Sequence, residues 1–335
     1  MTQRFSRRTF LRGTAAAAGL GLASQVFAPP NILGQRSPNS KLNTVVIGCA
    51  NQGLASLSAA VTENLVALVD VDENHLATTN NWLKEYAPDV NPAKLKVFYD
   101  YRKMFDKIQK EIDVVFVAAP DHHHFLTAMI SMSLGKHVYV EKPLAHTIEE
   151  VRLMTAAAKK YKVVTQLGQQ GHSGEGIRRL VEYIWAGAVG NVLETYSWAR
   201  SGRGGVGGRL PTKPVPAGLH WEEWIGPMPF RDYHDELHPL LWRSWWDFGD
   251  GSVGDWGCHN LDGPFWALKL DQSQPTSVEV VMQEGGSDER FPLRNAICWN
   301  YPARGKQPPV KVYWYDGYFD KTDPTKTDDE GNPLR

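Results

Sequence analysis

Between Lys41 and Leu167, short runs rich in β-branched residues alternate with helical stretches, and no other feature of the chain restricts its fold so strongly. Thr44–Gly48, Leu65–Asp70, Lys96–Tyr99, Val114–Ala119, His137–Val140 and Val163–Leu167 read as strands. Nearly continuous apolar runs of this length belong to strands covered on both faces, hence to a parallel sheet with crossover helices. The fold class that follows is α/β and doubly wound. From about Gln166 the pattern changes to a helix near Ser173–Gly187 and strands near Asn191–Arg200, Ser277–Gln283, Asn295–Tyr301 and Val310–Tyr315. Their alternating, aromatic-rich character predicts an α+β domain with a large, mostly antiparallel open sheet, one face covered.

The first strand runs into Gly48-Cys49-Ala50-Asn51-Gln52-Gly53, a variant of the dinucleotide fingerprint with alanine at the middle glycine. That position lets the backbone approach a pyrophosphate, so a methyl group there is tolerable but tight. The second strand ends Leu68-Val69-Asp70-Val71-Asp72, which puts Asp70 where a carboxylate can accept hydrogen bonds from a ribose. Alternatively Asp70 caps the next helix, a task Asp72 could equally perform. Strand, turn, helix and acidic strand end together predict a Rossmann domain that binds NAD, with NADP disfavoured because Asp70 would repel a 2′-phosphate.

Further along, Ala119-Pro120-Asp121-His122-His123-His124 invites a metal reading, but three consecutive histidines cannot all point one way on a helix or strand. Pro120 is expected to turn the chain, Asp121 to cap the next helix and one histidine to face the cofactor crevice; no metal is expected. Glu141-Lys142-Pro143 follows the fifth strand, and Asp255-Trp-Gly-Cys-His259-Asn-Leu-Asp262 lies far downstream. Apolar spacing over 254–268 predicts a helix that puts Asp255 and His259 on one face, so that the carboxylate fixes the imidazole tautomer and raises its basicity. Read alone, His259 would simply pack or cap within a buried helix. Together with Lys142 the set suits removal of a proton from an alcohol, because a hydride leaves carbon only as the hydroxyl proton is withdrawn and a nearby ammonium stabilises the alkoxide.

These residues resemble the oxidoreductase family named after glucose–fructose oxidoreductase and inositol dehydrogenase. The resemblance spans about residues 42–316 and rests on Gly48, Ala50 and Gly53, on Asp70, on the turn from Pro120 to His124, on Glu141-Lys142-Pro143, and on Asp255-x-Gly-x-His259-x-x-Asp262. It implies a cofactor cradle of Gly48, Ala50, Asn51, Gln52, Gly53, Asp70, Pro120, His124, Glu141 and Lys142. It further implies that Lys142 hydrogen-bonds the reacting hydroxyl beside the nicotinamide, that His259 is the acid–base residue and that Asp255 supports it. Pro143 would shape the turn that aims Lys142, through a cis bond as in relatives. The second domain's broad sheet would pack against another subunit, giving a homo-oligomer.

The linking stretch Ser201–Gly254 carries Gly202, Gly204, Gly205, Gly207 and Gly208 among arginines and reads as a mobile active-site loop. Six of the chain's 12 tryptophans fall between Trp221 and Trp256. Flat aromatic faces stack on sugar rings, so a carbohydrate or cyclitol substrate is expected, with Trp246 beside Lys142, Asp255 and His259. Lys plus Arg (36) and Asp plus Glu (37) nearly cancel, which argues against nucleic acid as a partner. The three cysteines lack the spacing of a metal knuckle or disulfide framework and read as small buried fillers.

Ser6-Arg7-Arg8-Thr9-Phe10-Leu11-Arg12, before an Ala/Gly/Leu run from Gly13 to Phe27, resembles a twin-arginine export signal, with cleavage after Ala28 or Ala23. The run is too short and too rich in glycine and alanine for a stable membrane span. The expected location is the periplasm or cell envelope, reached through the twin-arginine machinery, which carries folded proteins and so suits a cofactor acquired beforehand and kept bound. The expected division is 1–40 signal and linker, 41–165 NAD-binding domain and 166–335 substrate and oligomerisation domain. The charged tail Phe319–Arg335 reads as irregular, so the chain is expected to stop short of its relatives, leaving an exposed sheet edge and reduced stability. Three functions compete: an exported oxidoreductase acting on a sugar or sugar derivative; a glycoside hydrolase or lyase using transient oxidation by NAD; and a non-catalytic sugar-binding descendant of the fold.

Overall fold

The computed structural model describes residues 41–317. The expected export signal, its cleavage sites and the irregular tail lie outside the described residues. Six parallel strands, β1 (Asn43–Ile47), β2 (Asn64–Val69), β3 (Lys96–Phe98), β4 (Val114–Val117), β5 (His137–Glu141) and β6 (Thr165–Gly168), form one sheet in the order β3-β2-β1-β4-β5-β6. Neighbouring strands pair in parallel throughout. The chain reverses its winding between β1 and β4, which opens a crevice at the carboxyl ends of these strands. Because β6 runs to Gly168, the sheet extends past the boundary expected at 165.

The apolar runs are continuous because both faces of the sheet are covered. Val45, Ile47, Val69, Val115 and Val117 pack with Met104, Phe105, Ala128 and Met154 from helices on one side. Val46, Leu65 and Leu68 pack with Leu57, Leu76 and Leu83 on the other. Helix starts are set locally. Asp72 caps Glu73–Tyr86 by accepting from the Asn74 N–H, and Asp100 caps Tyr101–Ile108 by accepting from the Arg102 N–H. Thr147 and Glu150 form a reciprocal capping box ahead of Ile148–Tyr161. Asp72, not Asp70, is thus the cap. Pro120, not Asp121, occupies the capping position of Asp121–Ser133, and Asp121 stands in its first turn.

The second sheet has four strands, β7 (Glu194–Ala199), β8 (Ser277–Glu284), β9 (Arg294–Tyr301) and β10 (Val310–Asp316), ordered β7-β10-β9-β8. Two pairings are antiparallel and β7–β10 is parallel. Leu268 and Leu270 pack with Val310 and Val312 beneath it. Every residue of the edge strand β8 is exposed, Val278, Val280 and Val281 among them. No helix among the described residues is long and apolar enough to cross a membrane.

The stretch 201–254 departs from the expected mobile loop. Leu219, Trp221, Trp224, Ile225, Tyr233, Leu237, Trp242, Trp245 and Phe248 form an apolar core of their own. Its glycine-rich start is packed as well: the Gly205 N–H donates to the Phe291 carbonyl at 3.0 Å, and a Cβ on Gly204 would lie 1.9 Å from the Pro292 carbonyl oxygen. Gly204 serves close backbone approach here, and Gly205 leaves room for the Arg290 side chain.

Candidate functional site

The glycine loop leaves β1 at the crevice. Gly48 has φ +79°, and a Cβ there would meet the Ala118 carbonyl oxygen at 2.5 Å; one on Gly53 would meet the Gly48 carbonyl oxygen at 2.0 Å. Only glycine permits so tight a turn, which aims the amino end of the helix Gly53–Ala60 into the cleft. Ala50, Asn51, Gln52, Asp70, Pro120 and His75 line that cleft. Asp70 is locked by its neighbours: Oδ2 accepts from the Cys49 N–H at 2.8 Å, while Oδ1 accepts from the Asp72 N–H at 3.1 Å and lies 3.3 Å from His75 Nδ1. A carboxylate has about four acceptor sites, so one remains for a ribose hydroxyl. The cradle fits a dinucleotide.

The three histidines fan apart. His122 Nε2 and His123 Nε2 both meet the Trp224 carbonyl, at 2.9 and 2.7 Å, and His122 Nδ1 meets the Phe248 carbonyl at 3.2 Å. His124 Nδ1 lies 2.7 Å from the Pro143 carbonyl oxygen and Nε2 2.8 Å from the Ala119 carbonyl oxygen, and its one N–H donates to one of the two. Burial lowers all three imidazoles, His123 and His124 to about 4, so they are neutral connectors of backbone. His123 is the one that lines the cleft. His124 is not at its wall, as expected of a cofactor ligand, but behind the Lys142-Pro143 turn, because two carbonyls hold it there. The Lys142–Pro143 bond is cis.

Lys142 follows β5 at the crevice. Its Nζ donates to the Asp255 carbonyl oxygen at 2.8 Å and to Asp255 Oδ1 at 2.8 Å. Asp255 also receives Arg203 Nε on Oδ2 at 2.9 Å and has Arg243 Nε 3.2 Å from Oδ1. Burial alone would raise this carboxyl, but Arg243 and Lys142, with Arg203 hydrogen-bonded to it, outweigh that and hold it at about 2. The expected Asp255–His259 pair does not form. The continuous helix expected over 254–268 is broken into a wide π-type turn at Val253–Gly257, one turn at Cys258–Asn260 and a helix Asp262–Ala267, and three cations claim the carboxylate. Such wide turns recur at functional sites. His259 instead hydrogen-bonds the Gln170 backbone, and burial followed by the Lys142 charge lowers it below its ordinary value. It is neutral near pH 7 and able to accept a proton.

Glu141 is buried and accepts from Gln170 Nε2 at 2.7 Å and, more weakly, from Gln52 Nε2 and Ser56 Oγ at 3.5 Å. It links the glycine loop to the residues after β6. Asp262 does not face this site: His172 Nδ1 lies 2.9 Å from both its oxygens. Asp121 is raised to about 7 by burial and then by the Asp255 charge, against the opposing pull of Arg243, and Asp250 is raised to about 8 by burial and then by the Asp121 charge. The residues missed from sequence are Gln170, Arg203 and Arg243. Gln170 had a signal, standing just beyond the end of β6 as Lys142 stands beyond β5. Of the six tryptophans, Trp221, Trp224, Trp242 and Trp245 are core; Trp246 and Trp256 are 46% and 41% exposed. Trp246 packs on Phe291 and donates Nε1 to the Ser287 carbonyl at 3.1 Å.

Two family models match, one described as the oxidoreductase family's NAD-binding Rossmann fold over residues 42–169 and the other as its C-terminal alpha/beta domain over 188–302. The chain belongs to the Gfo/Idh/MocA oxidoreductase family. Its first domain is therefore an NAD-binding Rossmann domain. A levoglucosan dehydrogenase of Pseudarthrobacter phenanthrenivorans is 28% identical over 220 residues, 64% of this chain and 46% of that one. A glycosyl hydrolase family 109 protein of Solibacter usitatus is 30% identical over 152 residues, 43% and 34% of the two chains. The chain spans less than half the length of these two relatives. Among solved structures, the WlbA dehydrogenase of Bordetella pertussis, in complex with NADH and UDP-GlcNAcA, matches with a TM-score of 0.58 at 15% identity, over 85% of this chain and 73% of that one. An aldose-aldose oxidoreductase of Caulobacter crescentus matches with a TM-score of 0.54 at 20% identity, over 82% and 70%. These likenesses concern the fold.

Proposed function

We propose that the protein is an NAD-dependent oxidoreductase that oxidises a hydroxyl of a sugar or sugar derivative. The observation that carries this is the donor arrangement at Lys142. An ammonium has three N–H donors, and Asp255 takes two of them at 2.8 Å, which leaves the third for a substrate oxygen. The network of Asp255, Arg203 and Arg243 fixes that direction in advance, so no reorganisation is needed as the oxygen gains charge. His259, neutral and held by the Gln170 backbone, takes the hydroxyl proton. When bound, NAD supplies the hydride acceptor. Glu141 and His124 hold the Lys142 turn between the glycine loop and the end of β4. The levoglucosan dehydrogenase relative supports a carbohydrate substrate, with Trp246 and Trp256 as the exposed rings for stacking. The Ser6–Arg12 run supports export by the twin-arginine route to the cell envelope, and the exposed valines of β8 support pairing with a second copy through the second sheet.

The test is NADH formation by the full-length chain across a panel of sugars and anhydrosugars, with mass spectrometry of small molecules released on denaturation. Lys142→Ala should cut kcat at least about 100-fold while NAD still binds. A wild-type protein that neither releases nor binds NAD would refute the reading. The family 109 relative favours a second one, cleavage of a glycoside through transient oxidation. It would appear in the same assay as release of the aglycone with no net NADH.

A further inference from the structure

We propose that Asp72, His75 and His238 form a binding site for a divalent transition metal of the zinc class, which clamps the 219–248 segment to the rim of the cofactor cleft. One ligand atom from each of the three lies within 4.8 Å of the others. His238 Nε2 is 3.0 Å from Asp72 Oδ2, and His75 Nε2 is 3.9 Å from the same oxygen. Ligands of a tetrahedral zinc, bonded at about 2.0–2.1 Å, stand about 3.3 Å apart, a separation these two distances bracket. The third pair, His75 and His238, stands no more than 4.8 Å apart. Asp72 Oδ1 is occupied by the Asn74 N–H, which leaves Oδ2 as the ligating atom.

The second observation is the support around the set. Asp70 Oδ1 lies 3.3 Å from His75 Nδ1, so the proton sits on Nδ1 and the Nε2 lone pair is turned toward Asp72 and His238. A carboxylate behind a ligating histidine is the arrangement that orients imidazole ligands at zinc. Backbone geometry holds the two sides in place as well. The His220 N–H donates to the Val71 carbonyl at 2.8 Å and the Glu73 N–H to the Gly218 carbonyl at 3.0 Å. Two imidazoles and one carboxylate suit zinc, cobalt or nickel rather than magnesium or calcium, which demand oxygen ligands. Without metal, the His238 Nε2–H donates to Asp72; binding replaces that proton, which is released to solvent. His75, His238 and Asp70 all line the cleft, which puts the cluster at its rim beside Asp70. The site is separate from Lys142 and His259, and the inference does not depend on the reaction proposed above.

The experiment uses the full-length chain stripped with EDTA, titrated with Zn2+ by calorimetry and with Co2+ by visible absorption. Saturable binding of one metal per chain, with the intense band of tetrahedral cobalt, is expected. His75→Gln and His238→Gln should each abolish it, and Asp70→Asn should weaken it by about 10–100-fold. Circular dichroism in EDTA checks that each variant folds. Should a variant fail to fold, X-ray absorption of the zinc-loaded wild type decides: imidazole and oxygen neighbours without sulfur support the site, and sulfur ligation overturns it. Absence of saturable binding, or binding unchanged in both folded histidine variants, would reduce the cluster to a hydrogen-bonded tie.

Discussion

Replacing Asp255 by asparagine removes one negative charge from among Lys142, Arg203 and Arg243 while keeping the side chain's shape. The carboxyl falls from an ordinary 3.8 to about 2 in the folded protein, despite burial that acts the other way. At about 1.4 kcal/mol for each tenfold change, the ionised form contributes about 2 kcal/mol to stability at neutral pH. The side chain is only 10% exposed, so solvent screening takes little of this away. Because the folded value is depressed, the contribution is fully present above the unfolded value near pH 4 and is lost as pH falls toward 2. By pH 3 about half remains. Urea unfolding of wild type and Asp255→Asn, followed by circular dichroism and tryptophan fluorescence at pH 7, 5, 4 and 3, measures the difference directly. The expected gap is about 2 kcal/mol at pH 7 and 5, with equal urea dependence, shrinking below pH 4. A gap under about 0.5 kcal/mol at neutral pH, or one that stays constant down to pH 3, would mean that the three cations do not stabilise this charge. The variant should also lose at least about 10-fold in kcat, since Lys142 is no longer aimed.

Gly53→Ala would press a methyl group into the Gly48 carbonyl oxygen, 2.0 Å from the ideal Cβ position, and should weaken NAD binding at least about 10-fold in a fluorescence titration, whereas Ala50→Gly should not. Trp224→Ala removes a side chain 1% exposed and stacked on Trp221 at 4.5 Å between centroids; a loss of about 3–5 kcal/mol in urea unfolding is expected, and a loss below about 1 would contradict the assignment of this tryptophan to a core. His124→Ala removes the single N–H that this neutral imidazole offers to the Pro143 or the Ala119 carbonyl and should cost about 1–3 kcal/mol, with kcat falling more than affinity for NAD because the Lys142 turn loosens.

The sequence by itself determined what depends on local and periodic physics. Apolar runs covered on both faces require a parallel sheet, the glycine spacing requires a strand-to-helix turn too tight for any side chain, and an acidic strand end after β2 puts Asp70 beside that turn. Lys142 was legible for the same reason, since a residue just past a parallel strand must stand at the crevice. What only the tertiary structure decided is which long-range partners win. Asp255 and His259 are four residues apart, and nothing local told them apart from a catalytic pair. Arg203 and Arg243, over ten residues away or more, hold the carboxylate because charge pairing in a buried pocket outweighs sequence proximity. The tryptophans divide likewise: composition marks all six as apolar and aromatic, but burial follows from which faces close on one another, and four of them became core. Asp72, His75 and His238 meet only because residues 219–248 fold back on the end of β2, a juxtaposition across more than 160 positions that no spacing rule encodes.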